Sequence, residues 1–205
     1  MKYQHIVFDV DGTLVDNAYA ILRSLQETIR EFTGKTYPME ELTFCLGIPG
    51  VDTLKQLEIQ DINAAFNRWV LHLNGLQNTA KVFDGIKPLL EQLQQAGFQL
   101  GIVTSRKRAV LDQDLPGFGI RKYFGTVICE DDSQKHKPNP DPLLAYMAKT
   151  GAEPSQILYI GDSIYDCRCA AGAGCDFVLA YWGARKHLEG AKSCLHPLDI
   201  LQFCK

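Results

Sequence analysis

Four short clusters of reactive side chains stand along this chain, three directly after an apolar run and one after a polar loop. The first is Asp9-Val10-Asp11-Gly12-Thr13. Side-chain alternation puts Asp9 and Asp11 on one side of an extended segment, near enough to share a cation. Two clustered acids repel unless a cation or proton sits between them, and Gly12 lets the backbone approach a bound anion closely. The second is Thr104-Ser105, hydroxyls ahead of a helical segment whose first amides would cradle a phosphate. The third is Lys137-Pro138-Asn139-Pro140, a lysine between rigid prolines that can set one positive charge against a phosphate. The fourth is Gly161-Asp162-Ser163, followed by Asp166 one helical turn on, so that both acids face one point. Mg²⁺ takes one or a few carboxylates and fills its shell with other oxygens. Asp9, Asp162 and a backbone carbonyl meet that demand. Each cluster also has a plain reading: a turn, an N-cap, a solvated lysine, an acidic first helical turn.

The elements that must hold these groups can be read from periodicity. Residues 3–10, 98–104, 125–129, 156–162 and 176–181 are short β-branched or apolar runs of the kind buried on both faces of a parallel sheet. Helical stretches separate them, among them 87–97, closed by Gly97, and 141–151, with Pro142 in the first turn and Gly151 at the end. Strands alternating with helices predict a doubly wound α/β sheet. Ligands bind such sheets beyond the carboxyl ends of the strands, where the reactive clusters lie. Residues 16–80 break the alternation. They hold helix candidates at 18–33, 51–59 and 61–73 and no convincing strand, which predicts an all-helical cap inserted into a core made of 1–15 and 81–205.

Composition narrows the function classes. The 205 residues are 46% hydrophobic and 22% charged, ordinary values for a globular chain with a real core. A net charge of -3 offers no basic surplus for nucleic acid or anionic membrane, and Arg106-Lys107-Arg108 is too short to be a basic tract. No run is long enough to span a bilayer and the N-terminus does not read as a signal peptide, so the expected compartment is the cytoplasm. The seven cysteines show no framework spacing and read as free thiols. Cys167 and Cys169 lack the companions of a zinc site.

Taken together and in order, DVDGT, VTS, KPNP and GDSIYD resemble the four motifs of the haloacid dehalogenase-like superfamily, over almost the whole chain. The helical insert resembles the small cap of the subfamily that includes phosphoglycolate phosphatase and β-phosphoglucomutase. The resemblance implies strand order 5-4-1-2-3, Mg²⁺ as cofactor and a small phosphorylated metabolite as partner. It implies Asp9 as nucleophile, and Asp11 as general acid and base with its carbonyl on the metal. Gly12, Thr104, Ser105 and Lys137 would hold the phosphoryl group, and Asp162 would bind metal. Asp166 would assist the metal through water or orient Lys137. The expected reaction is hydrolysis of a phosphoglycolate-like phosphomonoester through an aspartyl phosphate. The oligomeric state is left between monomer and weak dimer.

Alternatives differ at particular residues. Dehalogenases that resemble this chain lack the acid corresponding to Asp11. A β-phosphoglucomutase-type enzyme has a cap histidine where Ile21 stands, and an arginine after a cap turn where this chain has Gly47-Ile48-Pro49-Gly50. That loop looks more like the cap loop of phosphoglycolate phosphatases. A receiver-like phosphoacceptor switch shares the acids, hydroxyl and lysine but needs neither Asp11 nor a cap. A dinucleotide-binding module fails because no G-x-G-x-x-G follows the first strand.

Overall fold

The computed structural model describes residues 2–204. Five strands follow the predicted runs: β1 (His5–Phe8), β4 (Gln99–Val103), β5 (Thr126–Ile128), β6 (Ile157–Gly161) and β7 (Asp176–Ala180). With β8 (Lys192–Cys194) they form one parallel sheet in the order β5-β4-β1-β6-β7-β8. Without β8 this is the order 7-6-1-4-5, the 5-4-1-2-3 arrangement expected. The sixth strand, at the edge, was not foreseen.

Alternation along the strands divides the core in two. Ile6, Phe8, Leu100, Ile102, Leu158 and Ile160 pack on one face with Leu89, Leu90 and Leu93 of α4 (Ile86–Gln95). Val7, Val103, Ile157 and Tyr159 point the other way, onto α6 (Asp141–Thr150) and α7 (Ile164–Ala173). Gly101 also faces that side. A Cβ there would lie 2.3 Å from the Tyr146 ring, so the glycine makes room for a buried tyrosine. Burial on both faces explains why these strands read as continuous apolar runs.

The stretch between β1 and β4 carries α1 (Ala18–Thr33), α2 (Gly50–Gln56) and α3 (Ile62–Asn74). They close a separate core on Leu22, Leu25 and Ile29, one stripe of α1, with Leu54, Ala65 and Trp69 opposite. Gly34 ends α1 in the left-handed conformation, its N–H donating to the Arg30 carbonyl at 3.0 Å. Strands do occur at the margins of this stretch. β2 (Val15–Asp16) pairs antiparallel with β3 (Lys81–Val82), placing Val15 opposite Val82. Among the described residues no helix is long and apolar enough to cross a membrane.

Candidate active site

The carboxyl ends of β1, β4 and β6 meet at one point. Asp9 directly follows β1 and its N–H still donates to the Ile160 carbonyl at 2.9 Å; the Thr104 N–H likewise reaches the Ile128 carbonyl at 3.0 Å. The sheet's own ladder therefore fixes both residues. Asp9 and Thr104 are 3% and 2% exposed, deep enough that every polar atom must find a partner.

Lys137 supplies the central partner. It comes from the loop before α6, where the Lys137–Pro138 peptide is cis. Its Nζ donates to Asp9 Oδ1 at 2.8 Å, Asp166 Oδ1 at 2.6 Å and the Tyr159 hydroxyl at 3.2 Å. Asp166 divides its oxygens between two tasks. Oδ2 accepts from the Ser163 backbone N–H at 3.1 Å, closing the capping box that starts α7, while Oδ1 holds Lys137 and accepts from Tyr159 at 2.9 Å. The plain reading of Asp166 as a first-turn acid is thus half of its role. Burial works against a charged Lys137, but Asp166 and Asp9 outweigh it and hold the ammonium protonated, well above its ordinary value.

Asp162 completes an acidic group with Asp9 and Asp166, the three offering oxygens within 4.8 Å of one another. Gly12, with φ +79°, passes so near that a Cβ would lie 2.3 Å from Asp162 Oδ2. Its freedom serves the approach to this carboxylate. Burial, then the charge of Asp166 and Asp9, pushes Asp162 well above the usual carboxylate range. Asp9 is raised to about 7, by burial first and by Asp166 and Asp11 against the opposing pull of Lys137. Three acids against one ammonium leave surplus negative charge, and all the donors are hard oxygens. That set fits a divalent cation of the Mg²⁺ kind.

Asp11 lies beside this group but its carboxylate is engaged elsewhere. Arg106 grips it through Nε at 2.9 Å to Oδ2 and through a terminal nitrogen at 2.6 Å to Oδ1, and Asn17 Nδ2 donates to the same oxygen. The other arm of Arg106 reaches Asp114 at 2.8 Å. Burial raises Asp11, but Arg106 and then Asn17 outweigh it, leaving the carboxyl below its usual value.

The sequence reading missed both Arg106 and Asn17. Arg106 stood in a short basic run, with no local pattern to set it apart. Asn17 Oδ1 is buried without a hydrogen-bond partner among the described residues.

The two hydroxyls differ from their expected setting. The helix after Thr104, α5 (Arg108–Asp114), begins four residues on with Lys107 at its N-cap, so its terminus does not lie at Thr104 or Ser105. Thr104 Oγ1 accepts from the Arg106 N–H at 3.2 Å, and Ser105 donates across to the Gly47 carbonyl of the helical block at 3.2 Å. Trp182-Gly183, just after β7, buttresses the first motif. Trp182 Nε1 donates to the Thr13 carbonyl at 2.9 Å, and a Cβ on Gly183 would lie 1.8 Å from the Gly12 carbonyl oxygen.

Comparison with known proteins agrees with this geometry. A family model described as haloacid dehalogenase-like hydrolase matches residues 6–180. The pyrophosphatase PpaX of Oceanobacillus iheyensis is 31% identical over 100% of this chain and 95% of its own. Among solved structures, a putative phosphoglycolate phosphatase from Lactobacillus plantarum superposes with a TM-score of 0.89 at 30% identity, covering 98% of this chain and 99% of that one. A hydrolase from Pseudomonas syringae gives a TM-score of 0.87 at 25% identity, with 98% and 97% covered. With its four motifs gathered at the strand ends and this likeness running the length of the sheet, the chain belongs to the haloacid dehalogenase-like hydrolase family.

Proposed function

We propose that the chain is a Mg²⁺-dependent phosphatase that hydrolyses a small phosphomonoester through an aspartyl phosphate on Asp9. The observation that carries this reading is the single ammonium of Lys137 set among Asp9, Asp162 and Asp166. A carboxylate nucleophile repels a phosphate dianion, so the site must supply positive charge before attack. Lys137 supplies part of it on the Asp9 side. Asp9, Asp162 and the Asp11 carbonyl would hold Mg²⁺, which when bound neutralises phosphoryl charge. Asp166 keeps Lys137 in place.

In this reading an Asp9 oxygen attacks phosphorus while the ester oxygen leaves. Asp11 gives the departing alkoxide a proton, then takes one from the water that cleaves the aspartyl phosphate. Gly12, Thr104, Ser105 and Lys137 hold the phosphoryl oxygens. Asp11 must first be freed from Arg106 to carry a proton. Residues 16–80 serve as the cap over a core of 1–15 and 81–205. In support, the cavity above Asp9 is lined from both sides, by Asp9, Asp11 and Ser105 below and by Ile21, Ile48 and Phe66 above.

The names of the relatives nominate phosphoglycolate and pyrophosphate as first substrates. The test is hydrolysis of an aryl phosphate by purified protein with Mg²⁺, its loss in EDTA and its absence in Asp9→Asn. Full activity in EDTA refutes the metal assignment. A phosphorylated form that persists, in place of turnover, would return the phosphoacceptor switch.

A further inference from the structure

The cavity between Asp9 and the helical block has a volume of about 110 Å³. Its floor is formed by Asp9, Asp11 and Ser105. Its upper wall is apolar: Ile21 from α1, Ile48 from the following loop, and Phe66, Val70 and Leu73 on one stripe of α3, with Val110 of α5 at the side. The polar atoms that this wall does contain are turned away or neutral. Trp69 lines the cavity, but its indole N–H is spent on Ser24 Oγ at 2.9 Å inside the helical core. Burial pushes the Cys45 thiol up to about 12, so it stays neutral. The Gly47 carbonyl is taken by Ser105.

The cations on the cavity wall are engaged too. Arg106 is held by Asp11 at 2.6 Å and Asp114 at 2.8 Å. Lys107 lies with Nζ 4.8 Å above the Phe66 ring, and Glu130 lines the same cavity to balance its charge. When Asp11 is released to carry its proton, Arg106 stays paired with Asp114, and a second anionic group beyond the phosphoryl would meet Glu130 with one lysine to offset it. An apolar group there would meet hydrocarbon on most sides.

On the phosphatase reading above, we infer that the site selects phosphomonoesters of uncharged, apolar alcohols over phosphoglycolate and pyrophosphate. The leaving group lies against Ile21, Phe66, Val70 and Leu73 while Asp9 faces phosphorus. Burial of each added methylene then raises kcat/KM by up to about fourfold until the cavity is filled.

The experiment compares n-propyl, n-butyl and n-pentyl phosphate with phosphoglycolate and pyrophosphate, using the full chain with Mg²⁺. Alkyl esters are chosen because their leaving groups resemble glycolate in reactivity, so the comparison with phosphoglycolate reports the pocket, while pyrophosphate, with its better leaving group, sets the stricter mark. The expected result is a rise of about two- to fourfold per methylene and a best alkyl ester at least about tenfold above both charged substrates. Equal or better turnover of phosphoglycolate or pyrophosphate overturns the inference while leaving the phosphatase reading intact. No turnover of any ester, p-nitrophenyl phosphate included, refutes the phosphatase reading and the inference with it. Two variants with melting curves as folding controls sharpen the test. Val70→Lys should move the ranking toward phosphoglycolate by about tenfold or more, and Phe66→Ala should flatten the alkyl series. An unchanged ranking in both folded variants overturns the assignment of this wall.

Discussion

Arg106 holds Asp11 with two nitrogens on its two carboxylate oxygens, across 95 residues of sequence. This is a bidentate, largely buried pair, the side chains being 10% and 20% exposed. Removing one partner of such a pair leaves an uncompensated charge. Arg106→Ala is expected to cost about 3–5 kcal/mol in denaturant unfolding, since Asp114 loses its partner as well. Arg106→Lys should fall between, because an ammonium cannot make the fork. The sign of the pH dependence follows from the lowered Asp11 value. The pair's contribution is present above the unfolded carboxyl value of 3.8 and is lost as pH falls through the lower folded one. The gap between wild type and Arg106→Ala should therefore be full at pH 7 and shrink in acid below pH 3.8.

On the proposed mechanism Asp9→Asn should abolish turnover, for it removes the nucleophile. Asp11→Asn should slow it by about 10²–10⁴-fold, the usual scale for lost general acid–base help. The loss should be larger for alkyl than for aryl phosphates, whose leaving groups need no proton. Equal losses for the two ester types would count against the acid role.

The acidic group makes a second pH prediction, read by melting temperature. Asp9 is raised to about 7, chiefly by burial, so between 3.8 and about 7 the folded metal-free protein binds more protons than the unfolded chain. Its stability should fall as pH rises through that window. With Asp9 as a Mg²⁺ ligand, as proposed, the ion would compete with those protons, so the increase in melting temperature on adding Mg²⁺ should be larger at pH 8 than at pH 6. A larger increase at pH 6 would remove Asp9 from the ligand set.

Gly183→Ala tests the buttress under the first motif. A methyl group 1.8 Å from the Gly12 carbonyl cannot be accommodated without moving one of the two loops. Overpacking of this kind costs about 1–3 kcal/mol. A shift of Gly12 displaces the turn after Asp9, so activity should fall about 10²-fold or more. Wild-type activity in a stable Gly183→Ala protein would show that the loop yields freely.

Asp9 and Asp162 were legible in the sequence because each lies at the end of a run whose apolar pattern fixes its own strand, Asp166 because it falls one helical turn past Asp162, and Lys137 because the prolines after it mark its loop. The strand order rested on the resemblance, since periodicity names strands but not their neighbours. Arg106 and Asn17 were not legible. Their common partner Asp11 is brought to them by packing, and an arginine between serine and lysine carries no local pattern. β8 escaped because Lys192-Ser193-Cys194 has no apolar alternation, and an open edge at β7 is what makes it a strand. The turn at Ser105 also depends on the far side of the cavity, where the Gly47 carbonyl waits.

The short ladder that puts Val15 opposite Val82 has a consequence for how the chain assembles. It stitches together the two ends of the long excursion between β1 and β4, which are direct neighbours in the sheet. Once Val15 and Val82 meet, the chain entropy lost in bringing His5 beside Gln99 no longer depends on how many residues lie between them. The helical block, with its own Leu22–Leu25–Trp69 core, can then order as a local event inside a closed loop. It can also lengthen, shorten or be exchanged without disturbing the register of the strands that carry Asp9 and Thr104.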